Sequence, residues 1–459
     1  TPDEGRIRLK GREVSLSDPE TTMINGIGMV HQHFSLVPSL TVAENIVLSN
    51  PPKRAGVFLK RRAEREVIKL GERYGLPVDP QRRVADCRIG IQQRVEILKA
   101  LYRNPDILIL DEPTAVLTPQ ETDALMENLR TIRAKGKTVI FITHKLKEVM
   151  ALADRVTVMR AGRAEGTIDA AETTVSELAA RMVGRAVFLD VERPPGKAGE
   201  VVLEFEAVSC RGTRGGPLLD DISLVLRRSE ILGIAGVEGN GQSELIEIVA
   251  GLRTPESGRV VVKGVDLTRA GDPARTRALG VGHIPEDRIE QGLAVGASLR
   301  GNLIMGAHNS APVAKGVWID TKAAQNFAHR LIETFDIRPR STDVKAGELS
   351  GGNMQKAIIA RELDPEPDLI IAAHPTRGVD VGAAEFVYGE LMKHRSKAGI
   401  LLVSSDLDEV MRLSDRILVM FQGRIMAELP PEAATGETLG LLMAGIHPAR
   451  EDIATRAAE

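Results

Sequence analysis

Only two cysteines, Cys87 and Cys210, occur in 459 residues, and they lie far apart. They match no zinc-ligand spacing, and a structural disulfide between them is not expected in a reducing compartment. The chain also lacks an excess of either charge. A net charge of −3 provides no electrostatic footprint for nucleic acid, which shows as a basic surplus. No apolar run approaches the ~18–20 residues of a bilayer-spanning helix, and no secretory-signal pattern opens the sequence. Any membrane work is therefore expected to fall to a partner. The first residue is Thr1 rather than Met, so the chain is expected to be a fragment. A hydrophobic content of 43% suffices for the cores of the two to three domains that this length suggests.

What the sequence does have is repetition, which governs the fold reading. Thr1-Pro-Asp-Glu-Gly-Arg-Ile-Arg-Leu-Lys-Gly11 returns as Thr254-Pro-Glu-Ser-Gly-Arg-Val-Val-Val-Lys-Gly264, 253 positions on. Pro105–Thr114 returns as Pro367–Thr376 at an offset of 262, and Phe141–Val149 as Leu402–Val410 at 261. The larger offset places a short insertion in copy two, between its early strands and middle helices. Met182-Val-Gly184 and Met443-Ala-Gly445 close the copies. Copy one thus spans 1–184. Residues 185–199, with Pro194-Pro195-Gly196, read as a linker. Copy two covers 200–447, and 448–459 form a tail. Val201–Phe205 and Ile231–Ala235 of copy two have no counterpart at the front of the chain. Projected back, copy one is expected to lack roughly 50 residues upstream of Thr1. Short β-branched runs (106–110, 138–142, 155–159) alternate with helical patterns (91–102, 119–135). That alternation predicts an α/β fold with a mostly parallel sheet.

Gly236-Val-Glu-Gly-Asn-Gly-Gln-Ser243 follows an apolar run and precedes a helical pattern over 244–251. It fits the phosphate loop G-x-x-x-x-G-K-[ST], whose backbone N–H groups point at phosphate from a helix start. Gly236, Gly239, Gly241, Gln242 and Ser243 are the candidate binding residues. Gln242 stands where the motif has lysine, removing a charge-assisted bond worth roughly 1.5–3 kcal/mol. Nucleotide can still bind through the backbone, but transition-state charge is poorly met. Leu349-Ser-Gly-Gly-Asn-Met-Gln355 is a second helix start, with Ser350, Gly351 and Gly352 aimed at anion oxygens. Copy one has Cys87-Arg-Ile-Gly-Ile-Gln-Gln93 there and keeps only Gly90 and Gln93.

Ile107–Thr114 reads as an apolar strand ending in Asp111 and Glu112. Asp111 can hold a Mg²⁺ shell and Glu112 can polarise an attacking water. Copy two has Ala373, which cannot ligate Mg²⁺, and His374, a poor substitute base without the metal, so that half is not expected to hydrolyse. Gln32, within Gly28–Phe34, is the candidate sensor of metal and water, and its counterpart is Glu286. An isolated histidine is more often structural, as expected of His31 and His33. His144 differs because it follows the strand after the carboxylates, where it can contact a γ-phosphate. Its counterpart is Ser405.

Together these residues resemble the ABC ATPase superfamily over nearly the whole chain. The tandem layout resembles the fused ATPase subunits of simple-sugar and nucleoside importers. The wording of 28–34, 285–288 and 372–380 is most similar to the nucleoside-type branch. The resemblance implies two RecA-like domains, each a mostly parallel sheet with helices plus a helical signature subdomain, the first incomplete. It implies ATP and Mg²⁺ as cofactors, Asp111 and Gln32 as metal residues, and Glu112, His144 and Gln32 as catalytic. Asp380 takes the D-loop position, which is Thr118 in copy one. Implied partners are integral membrane permease subunits and, indirectly, a solute-binding lipoprotein, with no nucleic acid. The implied location is the cytoplasmic face of the membrane.

In this family each nucleotide lies between two domains. One composite site would join Gln32, Asp111, Glu112 and His144 to Ser350, Gly351, Gly352 and Asp380, and every part of it in this chain is intact. The other would join Gln242, Glu286, Ala373, His374 and Ser405 to the altered Cys87–Gly90 segment. One hydrolytic site and one that is at most a structural nucleotide holder are expected. Without a copy-one phosphate loop the chain as given is expected to have little or no ATPase activity, unlike its full-length product. Other readings are a ribosome-acting tandem ABC protein, which usually keeps two intact phosphate loops and a long charged linker, and a non-catalytic regulator. DNA-repair relatives need zinc cysteines that are absent here.

Overall fold

The computed structural model describes residues 2–16, 18–31, 34–87, 89–114, 117, 119–160, 162–184, 198–212, 216–237, 239–269 and 271–446. Its contacts divide into two units, Thr1–Ala186 and Val187–Glu459. Most of the expected linker and all of the expected tail lie outside the described residues, as do Gln32, His33, Arg88 and Thr118.

Unit 1 holds β1 (Ile27–Val30), α1 (Val42–Val47), α2 (Lys60–Tyr74), α3 (Ile89–Leu101), β2 (Ile107–Asp111), α4 (Pro119–Ala134), β3 (Thr138–Ile142), α5 (Leu146–Leu152), β4 (Arg155–Arg160) and β5 (Arg163–Asp169). Strands β1, β2 and β3 pair in parallel in that order, while β4 and β5 form an antiparallel hairpin. The entry to α1 is fixed by a capping box, in which Glu44 N–H donates to Thr41 Oγ1 and Thr41 N–H to the Glu44 carboxylate. Val30, Leu108 and Leu110 of the sheet pack with Ile46, Val67, Tyr74, Leu98 and Leu129 of the helices into one core.

Unit 2 opens with β6 (Val201–Arg211), β7 (Pro217–Arg227), β8 (Ile231–Ala235), α6 (Gln242–Val249), β9 (Ser257–Val262) and β10 (Val265–Asp266). It continues through β11 (Val281–Ile284), α7 (Thr321–Thr334), α8 (Gly351–Leu363), β12 (Leu369–Ala373), α9 (Val381–Arg395), β13 (Gly399–Ser404), α10 (Leu407–Leu413), β14 (Arg416–Phe421) and β15 (Arg424–Leu429). The main sheet runs β11-β12-β13-β8-β14-β15, parallel except for β15 at its edge. A second, antiparallel sheet runs β7-β6-β9-β10. Every residue of β8, β12 and β13 is buried. Parallel strands covered on both faces bury consecutive side chains, which explains why these segments read as unbroken apolar runs. Leu232, Ile234, Ile371 and Leu401 enter the core facing the antiparallel sheet and α6. Ile231, Ile370, Ile400 and Leu402 enter the core beneath α7, α8 and α9.

The repeat allows the two units to be compared strand by strand. In unit 2, β8 lies between β13 and β14. Their counterparts in unit 1, β3 and β4, belong to separate sheets, with no strand between them among the described residues. Ile140 and Ile142 of β3 are consequently 45% and 47% exposed, whereas β13 has no exposed residue. Element types follow the sequence reading, and the ends shift slightly. The second strand of unit 1 is Ile107–Asp111 rather than 106–110, so Asp111 is its last residue. The helix after the glycine loop is Gln242–Val249 rather than 244–251, because Gly241 at φ +105° and Gly251 at φ +75° bracket it.

Candidate nucleotide sites of the two units

At the carboxyl end of the unit 1 sheet, Asp111 pairs in register with Ile142, and Glu112 N–H donates to the Ile142 carbonyl at 2.9 Å. Glu112 adopts φ +44°, a left-handed conformation unusual for a side chain of this size. The turn brings the Glu112 Oε1 atom to 2.9 Å from Nδ1 of His144. That bond is the first cause holding the Glu112 carboxyl below its ordinary range, against partial burial, so the group is a carboxylate at neutral pH. Asp111 and Glu112 are hard oxygen donors at a strand end, a set that fits Mg²⁺. Among the described residues no cluster of three or more His, Cys, Asp or Glu forms an all-protein metal site. Magnesium binds through one or two carboxylates together with substrate phosphates, a demand that Asp111 and Glu112 can meet.

Behind the pair lies an arrangement that sequence reasoning missed. Thr114 Oγ1 donates to the buried Glu148 carboxylate at 2.7 Å, and Thr143 Oγ1 donates to it at 3.3 Å. Lys145 Nζ donates to the Thr114 carbonyl at 3.0 Å and lies 3.5 Å from Glu148. Glu148 therefore ties the turn after β2 to the turn after β3, the two segments that carry Glu112 and His144. The repeat held the clue, since Thr114 and Glu148 return unchanged as Thr376 and Glu409. Thr376 donates to Glu409 at 2.6 Å. Glu148→Ala leaves the buried Thr114 hydroxyl unpaired, at a cost of about 1–3 kcal/mol where no water replaces the bond, and removes a partner from the half-buried Thr143 and Lys145. It is expected to lower kcat about 10-fold with little change in KM, with Glu148→Gln intermediate. Steady-state kinetics beside a thermal melt would check this, and a melt shift without a kcat change would refute the positioning role.

In unit 2 the same sheet edge holds a different set of groups. Beyond β8, Gly239 (φ +87°) and Gly241 (φ +105°) shape the loop. A Cβ on Gly241 would sit 2.7 Å from the Leu218 carbonyl oxygen, so only glycine fits. The Gln242 amide is buried and donates to the loop's own Val237 carbonyl at 3.2 Å, folded across Gly236. Ser243 is exposed in the first turn of α6. The sheet register places Ala235 beside Ser404, Ala373 beside Val403 and Ile284 beside Ala372. The Ala373 methyl is buried in the core. His374 repeats the left-handed turn of Glu112 at φ +44°, but its Nδ1 accepts Ser405 N–H at 3.3 Å. Glu286 accepts a hydrogen bond from Arg377 and lies 4.0 Å from Nε2 of His374.

The helix starts at the aligned positions of the two units also differ. Ser350 is the N-cap of α8, and its hydroxyl accepts from Asn353 Nδ2 at 2.9 Å rather than capping the backbone. Asp380 caps α9 by accepting from Ala383 N–H at 2.9 Å, and its Oδ2 would lie 3.4 Å from a Cβ on Gly352. Arg288 donates to the Gly378 carbonyl at 3.3 Å, between the two segments. In unit 1 a Cβ on Gly90 would lie only 2.1 Å from Oε1 of Glu121. A carboxylate over that helix start opposes any phosphate there by like charge. Glu121 occupies the repeat position of Ala383.

A glycine loop at the carboxyl edge of a parallel sheet, a strand-end carboxylate pair and a glycine-serine helix start define an ATP-binding cassette fold, present twice. The chain belongs to the ABC transporter family, among its tandem ATP-binding import subunits, which are ATPases. The ABC transporter profile matches residues 1–115 and 219–377. The chain is 46% identical to the guanosine import ATP-binding protein NupO of Bacillus subtilis strain 168, over 97% of its own length and 87% of the relative's. It is 42% identical to the nucleoside import ATP-binding protein NupA of Lactococcus lactis subsp. cremoris strain MG1363, over 97% and 88%. It is 41% identical to the ribose import ATP-binding protein RbsA 1 of Rubrobacter xylanophilus, over the same shares. No helix among the described residues is long and apolar enough to cross a membrane. Both cysteines are unpaired and buried.

Proposed function

We propose that this chain energises import of a nucleoside or a simple sugar, with unit 1 hydrolysing ATP and unit 2 holding nucleotide without turnover. The asymmetry is carried by the Glu112–His144 hydrogen bond of 2.9 Å, whose repeat positions in unit 2 hold His374 and Ser405. Asp111 and Gln32 would hold magnesium, which would supply positive charge to offset that of the phosphates. Glu112 accepts the proton of the attacking water, and His144 keeps that carboxylate aimed while facing the γ-phosphate. In unit 2, Gly236, Gly239, Gly241, Gln242 and Ser243 cradle phosphate through backbone N–H groups. Ser350, Gly351 and Gly352 offer a second anion-binding helix start, and Asp380 takes the D-loop position beside it. The 46% and 42% identical relatives are guanosine and nucleoside import proteins, which favours a nucleoside over ribose. The partners are membrane permease subunits that receive the chain on their cytoplasmic side and a solute-binding lipoprotein that delivers solute to them.

Deleting the gene is expected to cut uptake of labelled guanosine or adenosine about 10-fold or more and leave ribose uptake unchanged, since the relatives' names favour that class. Unchanged nucleoside uptake, with the chain sedimenting on ribosomes, would instead support the non-transport reading. The phosphate loop bears on activity in a second way. Residues 1–184 contain no G-x-x-x-x-G-K-[ST] loop. A polypeptide confined to residues 1–459 is therefore expected to turn over ATP at a small fraction of the rate of one extended upstream to carry such a loop. Equal, robust rates from both would refute the assignment of hydrolysis to unit 1.

A further inference from the structure

The magnesium that suits unit 1 does not suit unit 2. Three repeat positions decide this. Where unit 1 has Gln32, Asp111 and Glu112, unit 2 has Glu286, Ala373 and His374. Ala373 presents only a buried methyl, with no oxygen to hold a metal or its water. His374 accepts a backbone N–H through Nδ1, which puts its proton on Nε2, towards Glu286. Glu286 is the one hard donor gained, and its carboxylate is taken by the Arg377 guanidinium. Arg377 is itself a replacement, because unit 1 has Ala115 at that position. Relative to unit 1, this sheet edge has exchanged a metal-binding carboxylate for a fixed cation.

Charge shows what the exchange accomplishes. The unit 1 positions carry two carboxylates, Asp111 and Glu112, which repel a triphosphate unless a divalent cation lies between them. In unit 2 the Glu286 carboxylate is matched by the Arg377 guanidinium, so that pair carries no net charge. The arginine is also placed to act, for its side chain is 39% exposed and its backbone N–H donates to the His374 carbonyl at 3.0 Å, at the end of β12. We infer that unit 2 binds its nucleotide without a divalent cation, with Arg377 in place of the metal's charge beside the phosphates. This rests on the reading of unit 2 as a nucleotide holder.

Equilibrium binding of radiolabelled ATP to the full chain tests it, once in excess Mg²⁺ and once in excess EDTA. Gly241→Val serves as the control that assigns the binding to unit 2, since that Cβ would meet the Leu218 carbonyl. The expected result is a Kd that differs by less than ~2-fold between the two conditions. Arg377→Ala should weaken metal-free binding ~10-fold or more and release Glu286, so that added Mg²⁺ restores part of the loss. Arg377→Lys should keep most of the metal-free affinity. Wild-type binding that collapses in EDTA, or an Arg377→Ala variant indistinguishable from wild type, would overturn the inference and leave unit 2 a nucleotide holder. Absence of ATP binding in both conditions would overturn that underlying reading as well.

Discussion

Glu112→Gln in the full-length protein is expected to lower ATP turnover about 100-fold or more while ATP binding persists, and His374→Ala to change turnover less than about 2-fold. The contrast follows from chemistry at one repeat position. Glutamine keeps the shape of Glu112 and an oxygen that can accept from His144, so the 2.9 Å contact and the turn at φ +44° are preserved. The amide cannot take a proton from water, so the lost step is the proton transfer itself. The carboxyl of Glu112 is held below its ordinary range first by the His144 hydrogen bond, with burial opposing. It therefore stays ionised through neutrality, and any loss of turnover from its protonation belongs to more acidic pH. His374 makes the same backbone bond, its N–H donating to Val403 as that of Glu112 does to Ile142, but lacks the acidic oxygen. Steady-state ATPase rates of both variants decide the matter. A His374→Ala rate as low as that of Glu112→Gln would mean that the division of labour between the units is wrong.

Fold and site were legible to different depths for a common reason. Strands β8, β12 and β13 are covered on both faces, so burial itself writes them as apolar runs that need no knowledge of their neighbours. Asp111, Glu112 and His144 were legible because they lie at the ends of apolar strand patterns, and a residue just past a parallel strand is carried to the sheet's ligand-facing edge. Arg377–Glu286 and Glu121–Gly90 were not, since each joins groups from segments far apart in sequence. The folded-back amide of Gln242 was hidden too, because only the closed glycine loop brings the Val237 carbonyl within its reach. The antiparallel sheet β7-β6-β9-β10 lay between these cases. Val201–Phe205 stood out only as lacking a counterpart in copy one, and its partners are set by bulged register shifts that no local pattern records.

Glu409→Gln is expected to make unit 2 more resistant to unfolding at pH 8 by about 3 kcal/mol, and to leave its resistance at pH 5 nearly unchanged. Complete burial pushes the Glu409 carboxyl up to about 7 from an ordinary 4.5, although the Ser404 and Thr376 hydroxyls favour the ionised form. The buried Tyr388 faces it as well, while Asp406 raises it further by like charge. The repeat shows which cation unit 2 has lost here. Glu148 of unit 1 has Lys145 at 3.5 Å, and the counterpart of Lys145 is Asp406. Unit 2 has thus kept the carboxylate that ties Thr376 to α10 but exchanged its cation for a second acid. Between pH 4.5 and 7 the folded protein retains a proton that the unfolded chain releases, so each rise in pH across that window favours unfolding. The stabilising contribution is whole below 4.5 and gone above 7. Glutamine cannot ionise and still accepts from Thr376, so it removes this slope without breaking the tie. Amide hydrogen exchange over Gly399–Ser404, compared between wild type and variant at the two pH values, measures the difference. Parallel pH dependence in the two proteins would show that Glu409 is already ionised in the fold, and that the cation lost from unit 2 has been replaced by some other compensation.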